Sequence, residues 1–297
     1  AEYAARAAER YRGLATDYTP VNEPMLHSLF SGEYGYWPPY RTGEGGLVEI
    51  ATAIARGFVG TQRAVADVLG ETATFVHVDA SMRYAGDVDA PEHRENAHRY
   101  AHQAFLVEDL VTGRVGEGHP LLPLLRAHGV GDDELAWFAE SAVQPDVMGV
   151  NYYPRHSTEL FESGIHHGGG FADPRPTRDD GVDGMVEMLR TYANRYGAPV
   201  MLAETCVTDD VPTRLAWLDA SVAAVEGLRA DGVDVVGYTW WPLFDMYEWT
   251  YRHSDLPRSA HLLTMGLHDL VETPTTLARR RNPVADRFAA HASRGAR

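Results

Sequence analysis

Short apolar runs alternate along this chain with longer stretches of helical spacing. Residues 16–22, 74–79, 147–153, 200–204 and 235–241 are brief, rich in β-branched or apolar side chains, and bounded by polar or glycine positions. That pattern predicts five buried strands. Between them, residues 1–14, 46–69, 91–110, 132–142, 182–196 and 212–230 read as helices, and 284–292 as a last one. Gly70 stands where a helix C-cap glycine is expected, and the acidic start of 132–142 favours a helix N-terminus. Residues 154–180, rich in Gly, His and Pro, read as a loop. Strands alternating with helices argue for parallel β/α units.

No Pro-rich or Gly/Ser-rich linker, internal repeat or low-complexity tract divides the chain, so 1–297 is expected to be a single domain. A (β/α)8 barrel has eight strands. Five are recognisable here, and the chain opens on a helix with no strand before it. The expected fold is therefore α/β of TIM-barrel type, with its N-terminal strands absent or supplied by another segment or chain.

Charge narrows the partners. The net charge is -16, from 26 basic and 42 acidic side chains, which opposes non-specific binding to nucleic acid or anionic membranes and suits a neutral substrate. Cys206 is the single cysteine, so no internal disulfide can form. No apolar run approaches the roughly 20 residues of a membrane helix, and residues 1–13 lack the apolar core of a signal peptide. A cytoplasmic location is the expectation.

Two of the strand-like runs end in glutamate, at Glu23 and Glu204. In a β/α barrel, reacting side chains stand at the C-terminal strand ends. Paired carboxyls there suit glycosidic cleavage, one protonating the leaving oxygen and the other attacking the anomeric carbon. Alternation puts Val200, Leu202 and Glu204 on one strand face. It does the same for Val147, Gly149, Asn151 and Tyr153, and for Val235, Gly237, Thr239 and Trp241. Trp240 has the opposite parity and reads as packing. His77 and Asp79 share a face and could pair at the rim of the cup, with no third ligand for a metal. Glu95, His98 and His102 fall near one helical face but among Arg94, Arg99 and Gln103, a solvated setting. His166 and His167 read as exposed, and Cys206 as a small buried hydrophobe. Phe30, Tyr34, Tyr36 and Trp37 read either as an aromatic platform for an aglycone or as loop packing.

Three motifs carry a resemblance. Val21-Asn22-Glu23-Pro24 resembles the N-E-P motif of glycoside hydrolase family 1, and Gly149-Val150-Asn151-Tyr152-Tyr153 is similar to its G-x-N-Y-Y. Trp241 to Trp249 resembles W-S-L-L-D-N-F-E-W, with five of nine letters identical. They occur in the family's order, and the resemblance runs from Ala1 to about Leu270. It implies that strands one to three of the family barrel are missing here. It also implies a retaining β-glycosidase acting on β-glucosides, β-galactosides or related O-glycosides without a cofactor. Glu23 would be the acid/base, Glu204 the nucleophile, and Asn22 a partner of the sugar 2-hydroxyl. Tyr153 would keep Glu204 ionised, Glu248 would accept hydroxyls of the outer sugar edge, and Trp241 and Trp249 would wall the ring. Asn151 belongs to the same substrate-binding set.

The sequence departs from the family's T-E-N-G at Ala203-Glu204-Thr205-Cys206. The glutamine and histidine with which the family grips the sugar belong to the strands not found here. The spelling Y-T-P-V-N-E-P is also similar to family-1-like domains joined to deoxysugar-nucleotide reductases. An alternative is therefore a catalytically impaired barrel that binds a sugar or a partner in deoxysugar metabolism. An endo-acting glycanase with the same two glutamates fits the Trp241 to Trp249 loop less well.

Overall fold

The computed structural model describes residues 1–162, 175–249, 251, 254–273 and 275–295. The chain divides into two compact units. The first comprises Ala1–Gly149, His156–Asp179 and Tyr196–Ala198, and the second Val150–Arg155, Asp180–Arg195 and Pro199–Arg297.

In the first unit, the strand Thr74–Ala80 lies between Asp17–Tyr18 and Val147–Asn151. Its pairing with Asp17–Tyr18 is parallel, Asp17 opposite Thr74 and Tyr18 opposite Phe75. The run expected over 16–22 keeps only that short ladder, then a single parallel bridge from Asn22 to Val78. Pro20 lies between them and has no N–H to give. The helix Gly43–Leu69 presents Leu47, Val48, Ala51, Ala55, Phe58 and Val59 to a core shared with Leu106, Leu110 and Phe138. Each fully buried Leu, Val or Phe side chain among them contributes about 1.5–3 kcal/mol. The helix ends at Gly70, whose φ of 61° a Cβ would disfavour.

The single helix expected over 91–110 is two, Pro91–Gln103 and Leu106–Val111. The second is buried on every side while the first keeps an exposed face, so one straight amphipathic helix could not serve both. The loop expected over 154–180 contains the strand Thr158–Phe161, which pairs parallel with Arg83–Gly86 and antiparallel with Thr177–Arg178. His166 and His167 lie outside the described residues.

In the second unit, Val200–Glu204 lies between the end of Val147–Asn151 and Val235–Tyr238. The parallel ladder pairs Val200 with Val235 and then Met201 with Gly237. Val236 is thus one residue too many, and the two-residue alternation expected through 235–241 does not survive it. At Gly237 a Cβ would stand 3.2 Å from the Met201 side chain. The strand ends at Tyr238, whose hydroxyl meets that of Ser221 at 2.8 Å on the helix Val211–Ala230. That helix is capped by Asp210, whose carboxylate accepts the Thr213 N–H at 2.9 Å. Two antiparallel pairs follow that the alternation did not announce, Met246–Tyr247 with Leu262–Leu263 and His268–Glu272 with Leu277–Arg281. Among the described residues no helix is long and apolar enough to cross a membrane.

Candidate active site

Glu23 closes the turn between Asn22 and the short helix Pro24–Ser28. Its N–H donates to Val78 O at 2.9 Å and its carbonyl accepts the His27 N–H at 3.0 Å. The backbone there is left-handed, φ 50° and ψ 52°, which for a side chain with a Cβ costs about 1–3 kcal/mol. Such a conformation persists only where its surroundings over-determine it, as the backbone bonds on either side of Glu23 do here. Pro24 opens the helix, where its missing N–H costs nothing.

Past that helix, Phe30 meets Tyr34, Tyr36 and Trp37 with ring centroids 6.1, 5.3 and 4.9 Å away. The buried Arg175 donates to the Tyr34 hydroxyl at 3.0 Å and to Glu159 at 2.6 Å, and lies over the rings of Tyr100 and Phe161. Glu33 accepts from Tyr100 at 2.6 Å and Gln103 at 2.7 Å. Burial still leaves its carboxyl raised above the ordinary range. Tyr34 is thus tied into a buried polar cluster.

His77 and Asp79 do not pair. The His77 ring bonds Glu108 through Nδ1 and Gln62 through Nε2, both at 2.7 Å. Gln62 donates its amide to Gln144 O at 3.0 Å, which turns its carbonyl oxygen towards the imidazole. Asp79 instead accepts the Ala80 N–H at 2.9 Å. Glu95 and His98 stand on an exposed helix face, and no group of three metal-binding side chains occurs among the described residues.

In the second unit the strand Val200–Glu204 delivers Glu204 beside Tyr153. The phenol donates to Glu204 Oε2 at 2.5 Å, and the Tyr152 N–H reaches the Glu204 carbonyl at 2.9 Å. A short O–H···O⁻ bond favours the charged carboxylate. Trp241 completes the group, its ring edge-on to Tyr153 with centroids 6.2 Å apart and its N–H on Thr205 O at 3.2 Å. Asn151 is buried two residues before Tyr153.

Where the family has Asn and Gly after the glutamate, this chain puts two side chains to structural use. The Thr205 hydroxyl accepts the Trp217 indole N–H at 3.1 Å. Cys206 is buried, and burial first, then the Glu204 charge, push its thiol up to about 12, so it is an inert small hydrophobe. Trp240 is buried too, its indole N–H on Met265 O at 2.9 Å.

The loop from Trp241 to Trp249 is stitched to the segment 261–270. The Glu248 N–H donates to His261 O at 2.8 Å, and Trp249 is 57% exposed. Sequence reasoning missed the centre of this stitching, Asp245. Its buried carboxylate accepts the N–H groups of Met265 and Gly266 at 2.9 Å and of Leu270 at 3.1 Å. Arg214 lies 4.0 Å from it and donates to Gly266 O at 2.9 Å. Gly266 is required, since a Cβ there would stand 2.3 Å from Asp245 N. The signal available was an acidic residue amid the apolar Trp241 to Trp249 run. Asp245→Ala would leave three amides unsatisfied at about 1–3 kcal/mol each. Denaturant unfolding is expected to show a loss of about 3 kcal/mol or more, with Asp245→Asn losing clearly less.

No protein-family model matches the chain. It is 27% identical over 275 residues to a β-galactosidase of Sulfolobus acidocaldarius, covering 84% of this chain and 51% of that protein. To a β-galactosidase of Saccharolobus solfataricus it is 26% identical over 279 residues, covering 84% and 51%. The chain thus spans about half the length of these curated relatives. Among solved structures, a family 1 β-glucosidase from Thermotoga maritima superposes with a TM-score of 0.74 at 14% identity. That match covers 98% of this chain and 66% of the glucosidase chain. The fold is that of the β/α-barrel glucosidases, represented here in part.

Proposed function

We propose that this chain, which is glycoside hydrolase family 1-like, carries the chemistry of a retaining β-glycosidase acting on β-glucosides, β-galactosides or related O-glycosides. The observation that carries the reading is the Tyr153 hydrogen bond to Glu204 at the end of its strand, at 2.5 Å. It holds the carboxylate ionised and oriented, as a nucleophile requires. Glu204 attacks the anomeric carbon and forms a glycosyl ester while Glu23 gives its proton to the leaving oxygen. Glu23 then takes a proton from water, which displaces Glu204 and restores the enzyme with net retention. Asn22, Asn151 and Glu248 bond sugar hydroxyls, and Trp241 and Trp249 pack on the ring. The chain's similarity to curated β-galactosidases supports the substrate class, and the net charge of -16 suits a neutral sugar.

In this reading residues 1–297 work as one glycosidase domain, completed by a segment or chain that supplies the remaining barrel strands. We assign it to the cytoplasm, where one buried thiol needs no oxidative partner. The test is covalent trapping. Activated 2-deoxy-2-fluoro-β-glycosides of several sugars are incubated with the purified chain, followed by intact mass and peptide mapping. An adduct on Glu204 is the expected result, and the sugar that forms it identifies the glycone. A folded sample that reacts with none of them would instead support an impaired, sugar-binding barrel.

A further inference from the structure

Trp217 has no task in the reaction above, yet two residues that flank Glu204 both lean on it. It stands on the helix Val211–Ala230 and is buried, as are Thr205 and Tyr152. On one side its indole N–H donates to the hydroxyl of Thr205, the residue after Glu204, at 3.1 Å. On the other its ring stacks on Tyr152, with centroids 6.2 Å apart and planes at 23°. The Tyr152 N–H in turn holds the Glu204 carbonyl at 2.9 Å. Tyr152 is pinned at its far end, where its hydroxyl donates to Gly181 O at 2.7 Å. Two further links reach the site. The Thr205 carbonyl accepts the Trp241 N–H at 3.2 Å, and Tyr153, next to Tyr152, donates to the Glu204 carboxylate at 2.5 Å. Contacts therefore run in a closed ring from the Glu204 carbonyl through Tyr152, Trp217 and Thr205 back to Glu204.

We propose that Thr205 and Trp217 are positioning residues for the nucleophile, their hydrogen bond fixing the strand end that aims Glu204 at the anomeric carbon. The inference rests on Glu204 being the nucleophile and deepens that reading. Thr205 stands where the family has asparagine, and its hydroxyl is the acceptor that a buried indole needs. Without that oxygen the N–H is left unmade in the interior, and the indole shifts to find another acceptor. The stacked Tyr152 shifts with it, and the hold on Glu204 loosens from both sides. A displacement near 1 Å costs on the order of 100-fold in a positioned reaction. Such a loss falls on the attack itself, so it is the same for good and poor leaving groups.

The test measures inactivation by the 2,4-dinitrophenyl 2-deoxy-2-fluoro-β-glycosides of glucose and galactose. It compares the unsubstituted chain with Thr205→Val, Thr205→Ser and Trp217→Phe. The saturating rate constant reports the attack by Glu204, and the half-saturation concentration reports binding. Partial unfolding lowers the amount of adduct and leaves that rate constant unchanged. Thr205→Val keeps the shape and removes the hydroxyl. It is expected to slow the rate constant roughly 10–100-fold with half-saturation within about threefold. Its kcat/KM should fall by a similar factor on phenyl and 2,4-dinitrophenyl β-glycosides. Thr205→Ser keeps the oxygen and should stay within about threefold of the parent. Trp217→Phe keeps a ring for Tyr152 without the N–H and should slow attack about as much as Thr205→Val. The double variant should be no slower than the slower single one, because both substitutions break one bond. If Thr205→Val does not fold, Trp217→Phe is read in its place. A rate constant unchanged from the parent's defeats this inference alone, as does slowing in Thr205→Ser equal to that in Thr205→Val. Multiplying effects in the double variant overturn it too. No adduct in the unsubstituted chain, or an adduct on another residue, defeats the underlying assignment and this inference with it.

Discussion

Glu204→Gln is expected to lower kcat/KM on an aryl β-glycoside by about 10⁴-fold or more, close to 5.4 kcal/mol of transition-state stabilisation. The amide has the size of the carboxylate and can still accept the Tyr153 hydroxyl, which donates to Oε2 at 2.5 Å in the unsubstituted protein. Packing around the strand Val200–Glu204 therefore has no reason to change. What disappears is the negative oxygen that attacks carbon, and no proton transfer by another residue can replace that bond. The loss should be the same for good and poor leaving groups, because the glycosyl-enzyme cannot form with either. Thermal unfolding of the variant should match that of the parent, which separates lost chemistry from lost structure. Activity retained within about tenfold would mean that the nucleophile is elsewhere.

Periodicity exposed the elements whose burial is one-sided. The strand Val200–Glu204 and the helices Gly181–Tyr196 and Val211–Ala230 agree with the expected bounds to within a residue, because each alternates cleanly between a packed and a wetter face. Where burial is all-round, as in Leu106–Val111, periodicity has nothing to register and one helix was expected where two exist. The extra residue at Val236 is invisible for another reason. A bulge is a property of the pairing between two strands, set by how Met201 meets Gly237, and neither strand's own pattern encodes it.

The site divides in the same way. Glu204, at a strand end, and Tyr153 and Trp241, just past theirs, were legible because they belong to recognisable motifs, and the structure brings those three together. The placement of Asp245 was not legible in that way. Its role comes from amides contributed by Met265, Gly266 and Leu270 some 20–25 positions later. No local pattern links a carboxylate to distant backbone donors. A shared strand face allows His77 and Asp79 to pair, which is necessary for contact and not sufficient. Gln62 and Glu108, from two helices, claim both ring nitrogens first.

Glu23→Gln is expected to act selectively, and that selectivity is its main diagnostic value. General acid assistance contributes about 10²–10⁴-fold, and a substrate benefits only in proportion to how poorly its leaving group bears a negative charge. A phenyl or alkyl glycoside should lose most of that factor. A 2,4-dinitrophenyl glycoside should form the glycosyl-enzyme at close to the parent's rate, since its anion departs without a proton. The second half-reaction then stalls, because no group remains to deprotonate the attacking water, and the covalent enzyme accumulates as a burst followed by slow turnover. Azide, which needs no general base, should relieve the stall and leave as a β-glycosyl azide, retaining the starting configuration. The glutamine preserves the backbone contacts that hold position 23, the N–H on Val78 O and the carbonyl on the His27 N–H, so the effect is one of chemistry and not of folding. A uniform loss across all leaving groups, with no burst and no response to azide, would remove Glu23 from the acid/base role.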